Sequence, residues 1–139
     1  MRCLAGLICA TILLASPRWS EAADCARPIV AVIDGDSLRV RTACLPPPPS
    51  VTLVRLSGID TPELHGKCEQ ERADAALALR FVRGRIAGAR VVHIVQAGRE
   101  KYGRPLVAVV LDGHDLASDL VVKGLARRYG GEARGSWCP

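Results

Sequence analysis

The sequence predicts an α+β fold, mainly β, in which five strands form a small barrel accompanied by one longer and one short helix. Three observations carry that expectation. Short β-branched runs alternate with Gly, Asp and Pro turns along the chain. A stretch free of proline and glycine, Glu69 to Arg83, repeats apolar residues at helical spacing. A shorter helical pattern follows from Asp115 to Lys123.

Each element has its own reason. Pro28 to Ile33 and Ser37 to Arg41 read as two strands about a tight turn at Asp34-Gly35-Asp36, a hairpin. Pro46 to Pro49 cannot donate to a ladder and makes a stiff, extended connection. Val51 to Leu56 is the third strand, broken by Ser57-Gly58. Ile59 to Pro62 continues as a loop, because proline disfavours the helical region for the residue before it. The long helix turns Ala75, Leu79, Val82 and Ile86 inward, widened by Ala76 and Leu77. It is expected to end near Gly84 and to leave Arg80, Arg83 and Arg85 in solvent. Ala89 to Val95 is the fourth strand, with His93 an ordinary member of it, and Gln96 to Arg104 is a polar loop. Pro105 to Leu111 is the fifth strand, entered by a proline that suits its start. Asp112-Gly113 then turns the chain into the short helix, capped by Asp115, packed through Leu116, Leu120 and Val121, and ended by Gly124. No long helix is expected from Leu125 to Pro139. A partly open barrel of the OB type fits this order, as one option among several on periodicity alone.

Residues 1–22 read as a secretory signal peptide and 23–139 as one domain. Arg2 lies in a short n-region, Leu4 to Ala15 is apolar, and Ser20 and Ala22 suit cleavage. A membrane anchor is the alternative, but the apolar run is about a dozen residues where a spanning helix needs about 20. The mature chain is therefore expected to be secreted or periplasmic, without stable membrane association, and monomeric. Losing Arg2, Arg18 and Glu21 takes 19 basic and 14 acidic residues to 17 and 13, a formal +4 that suits an anionic partner.

Cleavage also removes Cys3 and Cys9, leaving Cys25, Cys44, Cys68 and Cys138, an even set that points to two disulfides in an exported chain. Facing residues in a hairpin centred between Asp34 and Gly35 have numbers adding to 69, as 25 and 44 do. Cys25 would then face Cys44, and Cys68 is left for Cys138; this is the best motivated of the three possible pairings. A zinc site using His65 and Cys68 is the rival, and it lacks a C-x-x-C pair.

Arg55, Asp60 and Glu63 arrive together where the third strand ends, a cation among carboxylates that suggests phosphate chemistry. Taken alone the segment is a strand and a turn. Together with the Asp34-Gly35-Asp36 turn and the loop Lys101-Tyr102-Gly103-Arg104, however, the run Arg55 to Asp60-Thr61-Pro62-Glu63 resembles the staphylococcal nuclease (thermonuclease) family. The likeness spans about Ile29 to Tyr129. It implies an OB barrel with helices and calcium-dependent hydrolysis of DNA and RNA phosphodiesters to 3′-phosphate products. By that resemblance Asp36, Asp60 and the Thr61 carbonyl bind Ca2+, a hard cation that wants several oxygens. Glu63 acts on the attacking water, and Arg55 and Arg104 grip the scissile phosphate. Lys101 and Tyr102 match positions that contact a second phosphate, and Tyr129 lies about one residue from a tyrosine that packs on the base.

The chain departs from the family pattern in two places. The loop Leu64 to Cys68 is shorter and poorer in lysine, and the residues after Tyr129 leave no room for the prototype's last helix. A bond from Cys138 is expected to anchor the tail in its stead. Two other classes stand against a nuclease: an OB module that binds nucleic acid without cleaving it, and a disulfide-stabilised adhesion or inhibitor domain. Neither needs Asp36, Arg55, Asp60, Glu63 and Arg104 at once.

Overall fold

The computed structural model describes residues 28–41 and 51–139. The expected signal peptide, the proline connection and the Cys25 to Cys44 pairing lie outside the described residues. In chain order the elements are β1 (Ile29–Val32), β2 (Ser37–Arg41), β3 (Val51–Leu56), β4 (Ile59–Asp60), α1 (Glu69–Gly88), β5 (Val92–Arg99), β6 (Pro105–Leu111), β7 (His114–Asp115), α2 (Leu116–Val122) and β8 (Arg127–Arg128). The fold is α+β and mainly β, as the sequence predicts.

The main sheet runs β1-β2-β3-β6-β5, antiparallel except where β3 and β6 lie parallel, and β7 pairs with the free part of β6. Leu38 and Val40 of β2, Val54 and Leu56 of β3, and Val107, Val109 and Leu111 of β6 are buried at alternate positions, so one sheet face makes the core. Ala78 and Val82 of α1 and Leu116 and Leu120 of α2 close over that face. Arg55 falls between two core residues and therefore points the other way.

The five longer strands do not close into the expected barrel. Among the described residues β1 pairs only with β2 and β5 only with β6. β1 is four residues long and packs on α1, which leaves little free edge for a closing ladder. Other boundaries shift as well. The hairpin connection is four residues, Ile33 to Asp36, with the Ile33 and Asp34 N–H groups reaching the Ser37 carbonyl at 2.9 and 3.4 Å and Asp34 Oδ1 accepting from the Asp36 N–H at 3.0 Å. Gly35 is required there for space and not for a positive φ: a Cβ would lie 3.0 Å from both Ala78 Cβ and Thr61 Cβ.

α1 runs through Gly84 to Gly88 instead of stopping. A helical glycine costs only about 1 kcal/mol, and the last turn is held by Ile86 on the core and by Arg85, paired with Asp119 at 2.6 Å. Arg85 is thus no free solvent residue, and Leu77 is exposed where Ala78 takes the inward position. β5 begins later and ends later than expected, carried into the supposed loop by a register shift between Gln96 and Gly98. Ile59 and Asp60, read as loop, form β4, paired antiparallel with β8. Asp115 caps α2 by accepting from the Ser118 N–H at 2.7 Å, and Gly124 ends the helix at φ +70°.

Gly35→Ala is expected to lower stability by about 1–3 kcal/mol through overpacking against Thr61 and α1. Gly84→Ala, whose Cβ meets nothing within 4 Å, should raise it by about 0.5–1 kcal/mol. Urea midpoints of the two variants check both signs.

Candidate active site

Strand register assembles the site around β3. Ser37, next to Asp36, faces Arg55 across one ladder, and Leu106, two residues after Arg104, faces Arg55 across the other. Three separate stretches of chain meet at residue 55, and two of its neighbours, Asp36 and the Ile59-Asp60 segment, reach its guanidinium. Arg55 Nη1 donates to Asp36 Oδ1 at 3.0 Å, and Nη2 lies 2.9 Å from Asp36 Oδ2. The same Nη2 reaches Asp60 Oδ1 at 3.3 Å and the Ile59 carbonyl at 3.2 Å. Asp36, Arg55, Asp60 and Thr61 are all buried, so Arg55 is the one buried cation shared by the two carboxylates, with the more exposed Arg134 as a second cation on Asp60. Burial pushes the Asp36 carboxyl up to about 6; Arg55 opposes this, Asp34 adds to it, and the Ser37 hydroxyl opposes it again.

Arg104 is brought to the same edge but is engaged elsewhere. Its Nε and Nη2 donate to the Glu100 carboxylate at 2.7 and 3.1 Å, and Nη1 is 3.5 Å from Ser37 Oγ. Ser37 Oγ in turn donates to Asp36 Oδ1 at 3.0 Å, a bridge between the two arginines' neighbourhoods. The hydrogen bond from Arg104 holds the Glu100 carboxyl below its ordinary value. Glu63 is exposed at the rim and pairs with Arg134 Nη1 at 2.9 Å. Its loop is fixed from beneath by the buried Glu71, whose carboxylate accepts from the Lys67 N–H at 2.9 Å and the Glu63 N–H at 3.4 Å.

A cavity of about 440 Å³ has Asp36, Arg55, Thr61, Glu63, Arg104 and Arg134 in its walls. A second, of about 900 Å³, opens on the other side of Arg55 and Arg134 and holds Lys101, Tyr102 and Tyr129. The structure therefore brings Asp36, Arg55, Thr61, Glu63 and Arg104 together around one cavity, while Asp60, joined to them through Arg55, lines a neighbouring cavity of about 490 Å³ with Thr61, Glu63 and Trp137. Lys101 and Tyr102 stay apart from the acids; Tyr102 is 82 % exposed, with Lys101 Nζ 4.9 Å from its ring centre.

Cys68 and Cys138 form a disulfide, the pairing reached by elimination. Among the described residues one set of three side-chain donors comes together, Cys68, Glu71 and Cys138, and its two sulfurs are bonded to each other, so it is no metal centre. Sequence reasoning missed Glu71, Glu100, Arg134 and Trp137. Arg134 Nε lies 3.2 Å from Asp60 Oδ1, and Trp137 Nε1 donates to Asp60 Oδ2 at 3.1 Å. Desolvation lowers the Arg134 pKa, but Asp60, Tyr129, Asp36 and Glu63 outweigh it, and the pKa is raised. The available signal was the cysteine beside Trp137, which ties the tail to a residue eight positions after Asp60.

A family model described as staphylococcal nuclease homologue matches residues 53–135. No match to a curated protein was found.

Asp36 binds its proton more tightly in the folded than in the unfolded chain, so the stability it contributes is full below the ordinary value of 3.8 and is lost as pH rises through about 6. Asp36→Asn should therefore gain about 3 kcal/mol relative to wild type between about pH 4 and pH 7. Urea unfolding in chelator measures it, and a difference that stays flat across the window would return the carboxyl to its ordinary value.

Proposed function

The chain belongs to the staphylococcal nuclease homologue family, and from that membership we propose that it is a secreted or periplasmic, calcium-dependent nuclease. It hydrolyses phosphodiester bonds of DNA or RNA to 3′-phosphate products. The observation that carries the reading is the convergence of Asp36 and Asp60 on Arg55 Nη2, at 2.9 and 3.3 Å, with Glu63 three residues further on. An open OB-type barrel goes with it, supported by the order β1-β2-β3-β6-β5 with β3 and β6 parallel.

The donor chemistry fits the ion. Asp36, Asp60 and the Thr61 carbonyl offer only oxygen, and the two carboxylates already converge on positive charge. Calcium bound there would supply polarisation of a phosphoryl oxygen and a more acidic water. Glu63, outside the buried cluster, accepts the proton of the attacking water or orients it. Arg55 and Arg104 neutralise charge building on the equatorial phosphate oxygens. Glu100 must release Arg104 for that contact, since it holds two of the guanidinium nitrogens. Lys101 and Tyr102 contact a second phosphate of the nucleotide from the larger cavity. The leader-like residues 1–22 support export, as does the Cys68–Cys138 disulfide, a bond that persists in oxidising compartments. No helix among the described residues is long and apolar enough to cross a membrane.

Digestion of single-stranded DNA, duplex DNA and RNA, with calcium and with chelator, tests the reading. Cleavage that survives chelation would remove the metal, and intact substrates that nonetheless bind would favour the non-cleaving OB module. Glu63→Gln should keep nucleotide affinity while losing about a hundredfold or more in turnover. Arg104→Ala should lose about a hundredfold in kcat, as removal of one transition-state donor does.

A further inference from the structure

The tail beyond Tyr129 has no part in the roles assigned so far, yet it reaches the centre of the site. Asp60 Oδ1 is shared by Arg55 and Arg134, and Asp60 Oδ2 is held by the Trp137 indole N–H at 3.1 Å. The two tail contacts differ in how firmly they are held. Trp137 is pinned on three sides: its neighbour Cys138 is bonded to Cys68 at the start of α1, the Arg127 guanidinium lies 3.8 Å from its ring centre, and Arg127 Nη1 also grips the Ser136 carbonyl at 2.7 Å. Arg134 is attached by its own side chain only, and that side chain is 41 % exposed.

Their electrostatics differ too. An arginine beside Asp60 competes with any cation for the same oxygen, whereas a neutral indole N–H is a donor only and can remain on Oδ2 while Oδ1 takes a metal. Groups that hydrogen-bond to a metal ligand fix its orientation and typically govern affinity by about 10–100-fold. We propose that Trp137, clamped by the Cys68–Cys138 disulfide and Arg127, is a positioning residue that holds Asp60 Oδ2 and so directs Oδ1 toward Asp36 for calcium binding. Arg134, the more exposed of the two arginines on Oδ1, is the exchangeable partner that gives way to the cation, while the buried Arg55 keeps its hold on Asp36. The proposal rests on the calcium reading given above.

Calorimetric titration of the mature protein, residues 23–139, with calcium tests it, next to nuclease assays on the same samples. Trp137→Phe keeps the ring and loses the N–H; it should weaken calcium binding about tenfold, leave kcat at saturating calcium close to wild type, and leave the urea midpoint in chelator little changed. Trp137→His, which restores a ring N–H, should recover part of the affinity. Cys68→Ser with Cys138→Ser should weaken calcium binding by a similar factor, and Trp137, the one tryptophan after residue 22, should show red-shifted emission as the clamp opens. The double-serine variant carries the test if Trp137→Phe does not fold. Wild-type calcium affinity in these variants overturns the positioning role while leaving the nuclease intact. Tighter binding overturns it in favour of an inhibitory tail. A wild-type protein that binds no calcium removes the calcium reading and this proposal together.

Discussion

The site depends on one buried guanidinium shared between two carboxylates. Arg55 is the only residue that touches both Asp36 and Asp60 among the ion pairs of the described residues. Desolvating such charges is expensive, and breaking a buried pair by removing one partner typically costs about 3–5 kcal/mol, because the survivor is left uncompensated. Asp36 already registers the strain of burial in its raised pKa, even with Arg55 in contact. The arrangement is tolerated because β3 is central: its neighbours on both sides fix where residue 55 lies, and Val54 and Leu56 anchor its opposite face in the core. A strand that is half core and half site transmits core rigidity directly to the charged cluster.

A second layer of contacts keeps the acids in register with one another. Asp60 belongs to β4, tied to β8, while Glu63 lies on a loop whose amides are gathered by Glu71. Gly66 passes so close that a Cβ there would lie 2.4 Å from the Glu71 side chain, so this loop has little freedom to drift. The disulfide joins the same region to the tail. Asp60, Glu63 and Glu71 are therefore braced by separate pieces of chain, the kind of support that holds functional groups within a fraction of an ångström.

Much of the fold was legible because its signals are local. β2, β3, β6 and α2 follow from β-branched runs, a strand-entry proline and the Asp115 cap, each decided within a few residues. Where neighbours competed, local rules failed: Gly84 did not end α1, because Ile86 and Arg85 had partners elsewhere, and Ile59-Asp60 became strand once β8 supplied a ladder. The acids and Arg55 could be read from spacing and resemblance. Glu100 and Arg134 could not, since nothing in their own segments distinguishes a charged residue of the site from a solvated one.

By itself, then, the sequence determined the five longer strands and both helices, the family resemblance and the chemistry at hand: oxygen donors, arginines and the cysteines Cys68 and Cys138. The tertiary structure alone decided that among the described residues the main sheet ends at β1 and β5 without closing, that Gly35 serves close packing, and that Trp137 and Arg134 lie on Asp60 more than seventy residues away. The reason is physical. Turn and periodicity preferences act over a few residues of backbone, whereas ladder register, burial and ion pairing depend on which distant side chains share one volume and must balance one another's charge there.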